Sequence, residues 1–263
     1  MDERGSQGME PQTDNNMITL LYHDVVERAG LMTTGFQGAD ADVYKLEPDA
    51  FESQLGSGPS SSASVLYTFD DAGVSALTRC ADLLHKHRVT GLFFVPTAFI
   101  GEPGFCSRDD LRTLHERGHL IGSHSVTHPV PMSGLSDEDL TREWSESRRV
   151  LEEILNTSVT DASVPGGFTS ARVESAAAAA GYARLFTSQP ARRIRRRDGM
   201  TIHGRFSVTR GTPTIVVARV LKGSQLPWVK QAVLWEAKKI VKSVGGNVWL
   251  SFRKRYFKRM SRA

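Results

Sequence analysis

From Met17 onward the chain is a succession of short, continuous apolar runs separated by stretches with helical spacing, and this constrains the fold more than any other feature. Met17–His23, Val65–Phe69, Gly91–Val95, His119–His124, Val159–Pro165 and Tyr182–Thr187 read as strands. A strand with one wet face alternates apolar and polar residues. Continuous runs are covered on both faces, as in a parallel sheet wrapped by helices. Between the strands, Pro48–Leu55, Val74–His87 and Ser170–Ala180 have helical spacing. Ser107 opens another helix, with Asp109 and Asp110 in its first turn and Gly118 at its end. Ser136 caps the clearest one: Asp137, Glu138 and Asp139 crowd its start, and Leu140, Trp144, Ser147, Leu151 and Leu155 lie near one face. Gly56–Ser64 is a loop. The order predicts β-α-β-α throughout, in one α/β unit whose length suits a barrel.

Composition narrows the class further. No apolar run approaches the roughly 18 residues that span a bilayer. Two cysteines, Cys80 and Cys106, leave no disulfide framework and no cysteine-rich zinc site. Residues 1–16 are polar and aperiodic, with no hydrophobic signal core, so a disordered leader and a cytoplasmic location are expected. A balance of 33 Lys+Arg against 29 Asp+Glu is only mildly basic.

In parallel α/β barrels, reactive groups gather at the C-terminal ends of strands. Two strand ends here carry polar residues that a core would not choose: Thr68-Phe69-Asp70-Asp71-Ala72-Gly73 and His124-Ser125-Val126-Thr127-His128-Pro129. Adjacent carboxylates repel unless a positive charge intervenes, and a divalent cation supplies one. Two histidines at i, i+4 can converge on the same ion as one carboxylate, a hydrolytic zinc set with positions open to water. The second carboxylate is then free to act as general base.

These residues resemble the polysaccharide deacetylase family, the NodB-homology carbohydrate esterases. Thr68–Asp71 match the family's T-F-D-D-G motif up to Ala72, and His124–Pro129 match its H-[ST]-x-x-H-P motif in full. Leu21-Tyr22-His23-Asp24 resembles the family's opening strand, and Phe93-Phe94-Val95 its third. The resemblance covers roughly residues 17–188. It implies a distorted (β/α)7 barrel, with Asp70 as base and Asp71, His124 and His128 as ligands of a divalent metal ion, zinc foremost. The implied reaction is hydrolytic removal of an acetyl group from a sugar, here an N-acetylated amino sugar of an exopolysaccharide or cell-envelope precursor. An O-acetyl esterase, a cyclic amide hydrolase and a non-catalytic glycan-binding relative are the alternatives.

Two family features are absent. In R-x-P-Y-G the arginine steadies the base, but the corresponding segment is Ser163-Val164-Pro165-Gly166-Gly167. An arginine from elsewhere, Arg205 for one, would have to substitute. Without the motif's aromatic, Gly166-Gly167 is expected to widen the pocket wall for a bulkier acceptor. The late Leu-x-His that supplies the general acid has no clear counterpart. His203 is the nearest candidate, and His23 at the end of the first strand reads as structural.

The remaining feature is basic. Arg192, Arg193, Arg195, Arg196 and Arg197 cluster after Pro190, and nine Lys/Arg follow Glu236 without an acid. Residues 17–225 are expected to form the barrel and 226–263 a basic amphipathic helix and tail. Pro227–Val244 places Val229, Val233, Ala237, Ile240, Val241 and Val244 on one stripe. Packing of that helix on the barrel is the simplest reading. An anionic membrane surface presenting a lipid-linked sugar is the second, which would make the protein peripheral on the inner face of the membrane. No recognised nucleic-acid-binding motif accompanies the charge, so no nucleic acid partner is expected.

Overall fold

A computed structural model describes residues 17–59 and 64–244, with side chains to residue 237. Residues 1–16 and 245–263, where the leader and most of the basic tail were placed, lie outside the described residues.

Among the described residues, nine strands form one sheet in the order β7-β8-β6-β5-β4-β3-β2-β1-β9. They are β1 (Met17–Tyr22), β2 (Ser64–Phe69), β3 (Gly91–Val95), β4 (Leu120–Ser123), β5 (Asp161–Ser163), β6 (Arg184–Phe186), β7 (Arg195–Arg197), β8 (Met200–His203) and β9 (Phe206–Ser207). All pairings are parallel except β7 with β8. β8 and β9 are one bent strand interrupted only by Gly204 and Arg205. Its first half pairs with β6 and its second half with β1. Counted once, this bent strand joins β1 to β6 as the seventh parallel strand and closes the curl into a distorted (β/α)7 barrel.

The helices are α1 (Ala39–Asp42), α2 (Pro48–Gly56), α3 (Ala81–Lys86, entered through a π turn at Ala76–Cys80), α4 (Arg108–Glu116), α5 (Asp137–Leu155), α6 (Ala171–Ala179), α7 (Thr214–Leu221) and α8 (Leu226–Val244). Ser107 and Ser136 cap α4 and α5 as expected, each accepting from the backbone N–H three residues on. The strict alternation fails after β6. No helix separates β6 from β8, and the arginine cluster instead supplies the antiparallel edge strand β7. Its composition hid this, because the strand is held by charge. The buried Glu174 carboxylate of α6 accepts from Arg195 and Arg197, each at 2.7 Å.

Period-two alternation sorts each strand between two cores. Phe93 faces the helices and stacks on Phe69 at 4.7 Å, whereas Phe94 points into the barrel against Phe186 at 5.2 Å. The outer core runs from Tyr22 and Phe51 to Trp144 and Val217, and the inner one is a small plug of Leu92, Phe94 and Phe186. Below the plug, Arg184 makes a bidentate pair with Asp161. Above it the interior turns polar, at the C-terminal ends of the strands.

α8 packs differently from the expected stripe. Trp228 is buried against Phe206, and the Gln231 amide makes two 2.8 Å bonds to the Ser207 backbone, so the helix grips the β9 edge. Val229 and Val233 lie on the outside, 56% and 65% exposed. Among the described residues, no helix is long and apolar enough to cross a membrane.

Candidate metal and catalytic site

Asp70 and Asp71 follow β2, and His124 follows β4. The turn after β2 is built around Asp24, which follows β1. Its buried carboxylate accepts from Thr34 Oγ1 and Ser75 Oγ, both at 2.6 Å. A Cβ at Gly73 would stand 2.2 Å from Asp24 Oδ1 and 2.5 Å from Thr34 Oγ1, so the position after Ala72 needs a glycine. Asp71 and Ala72 hold φ of 75° and 46°, a left-handed bend that throws the Asp71 carboxylate back over the barrel mouth.

The histidine loop is fixed from α5. Glu143 accepts from the N–H groups of Val126 and Thr127 at 2.8 and 2.9 Å and from the Thr127 hydroxyl at 2.6 Å. Ser125 and His128 take φ of 65° and 57°. The chain thus coils tightly enough for His128 to return beside His124, with ring centroids 4.8 Å apart.

The outcome is a three-donor cluster. Asp71 Oδ1 lies 3.4 Å from both His124 Nε2 and His128 Nε2, and one ligand atom from each residue falls within 4.8 Å of the others. His124 Nδ1 lies 2.8 Å from the Ser163 carbonyl, which can only accept. That bond therefore carries the Nδ1 proton and turns Nε2 toward Asp71. Asp71 Oδ1 is buried and without a hydrogen-bond partner among the described residues. A buried, unpartnered carboxylate oxygen facing two imidazole nitrogens fits a divalent cation, and a two-histidine, one-carboxylate set suits zinc chemistry.

Electrostatics agree with the geometry. Burial would raise Asp71, but His124, His23 and His128 around it outweigh this and hold the carboxyl well below the usual range. Burial is also the largest influence on Asp70. It is overcome by the Arg205 guanidinium, then by His124, and the carboxyl is again lowered. For His128, burial outweighs the attraction of Asp71 and brings the imidazole down to about 4, which keeps it neutral as a ligand must be. His124 is pushed up, because Asp70 and Asp71 overcome its burial.

Asp70 sits beside this cluster, with Oδ2 3.8 Å from His124 Nε2. Arg205 clamps it, donating from Nη1 to Oδ1 at 2.7 Å and from Nη2 to Oδ2 at 2.8 Å. All four residues selected from the sequence thus converge on one mouth.

The proton-donor candidates separate clearly. His203 lies a layer below the mouth, stacked on Phe186 at 5.0 Å with Nε2 against Thr201 Oγ1. Burial and then Arg184 lower it to about 4, so it neither reaches the mouth nor suits an acid. His23, read as structural, faces the site: Nε2 is 4.0 Å from Asp71 Oδ2, the oxygen turned away from the other two imidazoles. Its ring packs on Tyr44 at 4.6 Å, and His128 packs on Phe36 at 4.8 Å. Both aromatics come from the long β1–α2 connection, which carries no motif that could have announced them.

Gly166-Gly167 does not widen the pocket. A Cβ at Gly167 would stand 2.0 Å from Ser188 Oγ, and one at Gly166 would stand 2.8 Å from Val130 Cγ1, so both glycines are present because neighbours press on them. The aromatic sits one residue later: Phe168 stacks on Trp235 of α8 at 4.4 Å.

A parallel barrel with a three-donor cluster and a clamped carboxylate at its strand ends defines a class, α/β-barrel proteins with a divalent-cation site suited to hydrolysis. The family follows from comparison: residues 57–185 match the polysaccharide deacetylase family model, and that part of the chain belongs to the family. A peptidoglycan-N-acetylmuramic acid deacetylase of Bacillus subtilis (PdaA) is 36% identical over 76 residues, 28% of this chain and 27% of that protein. A chitooligosaccharide deacetylase of Sinorhizobium fredii is 32% identical over 128 residues, 48% of this chain and 57% of that protein. The chain therefore spans between about a quarter and just over half of these curated relatives. The solved structure of a polysaccharide deacetylase from Bacillus cereus shares the fold, with a TM-score of 0.65 at 17% identity over 78% of this chain and 69% of that one.

Proposed function

We propose that this protein is a metal-dependent deacetylase that removes the N-acetyl group from an amino sugar of an exopolysaccharide or cell-envelope glycan, with zinc as its metal. The observation that carries the reading is the convergence of Asp71, His124 and His128 on one point with an independently clamped Asp70 beside them.

Asp71, His124 and His128 would hold the cation, which when bound polarises an acyl carbonyl and an attacking water. Asp70, kept ionised by Arg205, takes a proton from that water at Oδ2, the oxygen nearest His124. The water oxygen joins the acetyl carbon, the C–N bond breaks, and the departing amine needs a proton. His23 is the imidazole placed to give one from Nε2, on the side of Asp71 away from the other two histidines. Tyr44 and Phe36 pack on His23 and His128 and keep those rings from turning away.

The test pairs metal content with acetate release from N-acetylglucosamine oligomers, for the parent and for Asp70→Asn. About one zinc per chain in both proteins, with acetate released by the parent alone, is expected. A zinc-reconstituted parent that binds no metal, or Asp70→Asn turning over at the parent's rate, overturns the assignment.

A further inference from the structure

The R-x-P-Y-G resemblance leads one to expect an arginine at position 163 on β5. That position holds a serine beside the base, and the interior holds a buried arginine from the closing strand instead. Arg205 is fully buried, and all five of its N–H groups are accounted for. Nε donates to the Thr187 carbonyl at 3.0 Å. Nη1 donates to Thr68 Oγ1 at 3.1 Å and to Asp70 Oδ1 at 2.7 Å, and Nη2 to Asp70 Oδ2 and to Ser163 Oγ, each at 2.8 Å. A guanidinium taken wholly out of water is strongly unfavourable unless its charge and every donor are met. Here the match is complete, and the Phe94 ring lies 5.5 Å beneath it.

Ser163 completes the arrangement from the other side. Its hydroxyl lies between Arg205 Nη2 and Asp70 Oδ2, at 2.8 and 3.2 Å, and its carbonyl accepts from His124 Nδ1. One small residue therefore touches the base, the arginine that holds the base and a metal-site histidine. An arginine side chain at 163 would enter the volume that the Arg205 guanidinium now fills.

We infer that Arg205, delivered by the bend between β8 and β9, is the positioning residue for Asp70, and that Ser163 is small because the clamp arrives from the closing strand and fills the space beside it. The inference deepens the deacetylase reading and rests on it for its catalytic consequence. The clamp itself is a property of the folded chain.

The experiment uses the full chain loaded with zinc and assayed on N-acetylglucosamine oligomers, with Arg205→Met, Arg205→Lys and the double variant Arg205→Met/Ser163→Arg. Arg205→Lys keeps the charge and loses the fork, so kcat should fall about 10- to 100-fold while KM stays within about threefold. Arg205→Met should fall further, and adding Ser163→Arg should restore at least about tenfold of that loss by putting a fork back from β5. Independently of turnover, Arg205→Met and Asp70→Asn should be non-additive in urea unfolding of the metal-free protein. The double variant's unfolding constant should stay within about threefold of the weaker single variant's. A folded Arg205→Met or Arg205→Lys with the parent's kcat, failure of Ser163→Arg to restore turnover, or additive unfolding would each overturn the inference. If Arg205→Met does not fold, Arg205→Lys decides. Non-additive unfolding in a parent that releases no acetate would uphold the clamp and overturn the deacetylase reading instead.

Discussion

Asp71, Ala72, Ser125 and His128 are four non-glycine residues with left-handed φ, all within the two motif peptides. Such conformations cost of order 1 kcal/mol or more each and persist where surrounding bonds over-determine them. The residue types at these positions were legible in the sequence, since paired carboxylates and paired imidazoles at strand ends suggest few other chemistries. The roles of single residues away from the motifs were not. His203 and His23 look alike as isolated letters. The difference is that one ring points down the barrel and the other across its mouth. A consequence for His203 can be measured. Its folded value of about 4 lies below the ordinary 6.5, so between those limits the unfolded chain binds a proton that the folded chain does not. The stabilisation is full above about pH 6.5 and is lost as pH falls toward 4. In urea titrations at pH 7 and pH 4.5, His203→Gln should therefore lose less stability on acidification than the parent, by on the order of 2 kcal/mol. An identical loss in both would refute the assignment.

At the scale of elements, α5 shows how a helix can serve the site without entering it. Its buried face carries Leu140, Trp144, Leu151 and Ile154 for packing, and Glu143 on the same face reaches over to the histidine loop. The apolar spacing made the helix and its core face readable. Glu143 was invisible because a carboxylate in an amphipathic pattern reads as solvated until its partners are known. Glu143→Gln keeps the size but removes the charge that accepts from Val126 N, Thr127 N and Thr127 Oγ1. The loss in unfolding free energy should be about 1–3 kcal/mol, and zinc affinity by calorimetry should drop by about tenfold or more as His128 loses its fixed position. Unchanged zinc affinity would show that the loop holds itself. The basic segments belong to this scale too. Arg195 and Arg197 hold an edge strand onto α6, and α8 uses Trp228, Gln231 and Trp235 to bind β9 and the loop after β5.

For the whole molecule, the decisive event is closure. Six parallel strands form an open curl, and the seventh must span its two edges, which it does by bending at Gly204 and Arg205. A Cβ on Gly204 would stand 2.5 Å from the carbonyls of both Gln189 and Ala191, so the bend requires the bare backbone. Gly204→Ala should cost about 3 kcal/mol or more, read as a lowered urea midpoint, with turnover falling alongside because Arg205 is carried by the same bend. Full stability in that variant would refute this account of closure. The sequence by itself determined the parallel α/β class, the helices α2 to α6 that alternate with the strands, the caps of α4 and α5, and the four residues of the candidate site, because periodicity and short motifs are local and a strand's end is marked where its apolar run stops. Only the tertiary structure decided that Arg205 meets Asp70, that His23 and not His203 faces the mouth, and that Gly167 is pressed by Ser188. Each depends on which strands become neighbours when the barrel closes, and contacts between residues far apart in the chain, 135 positions for Arg205 and Asp70, leave no period in it.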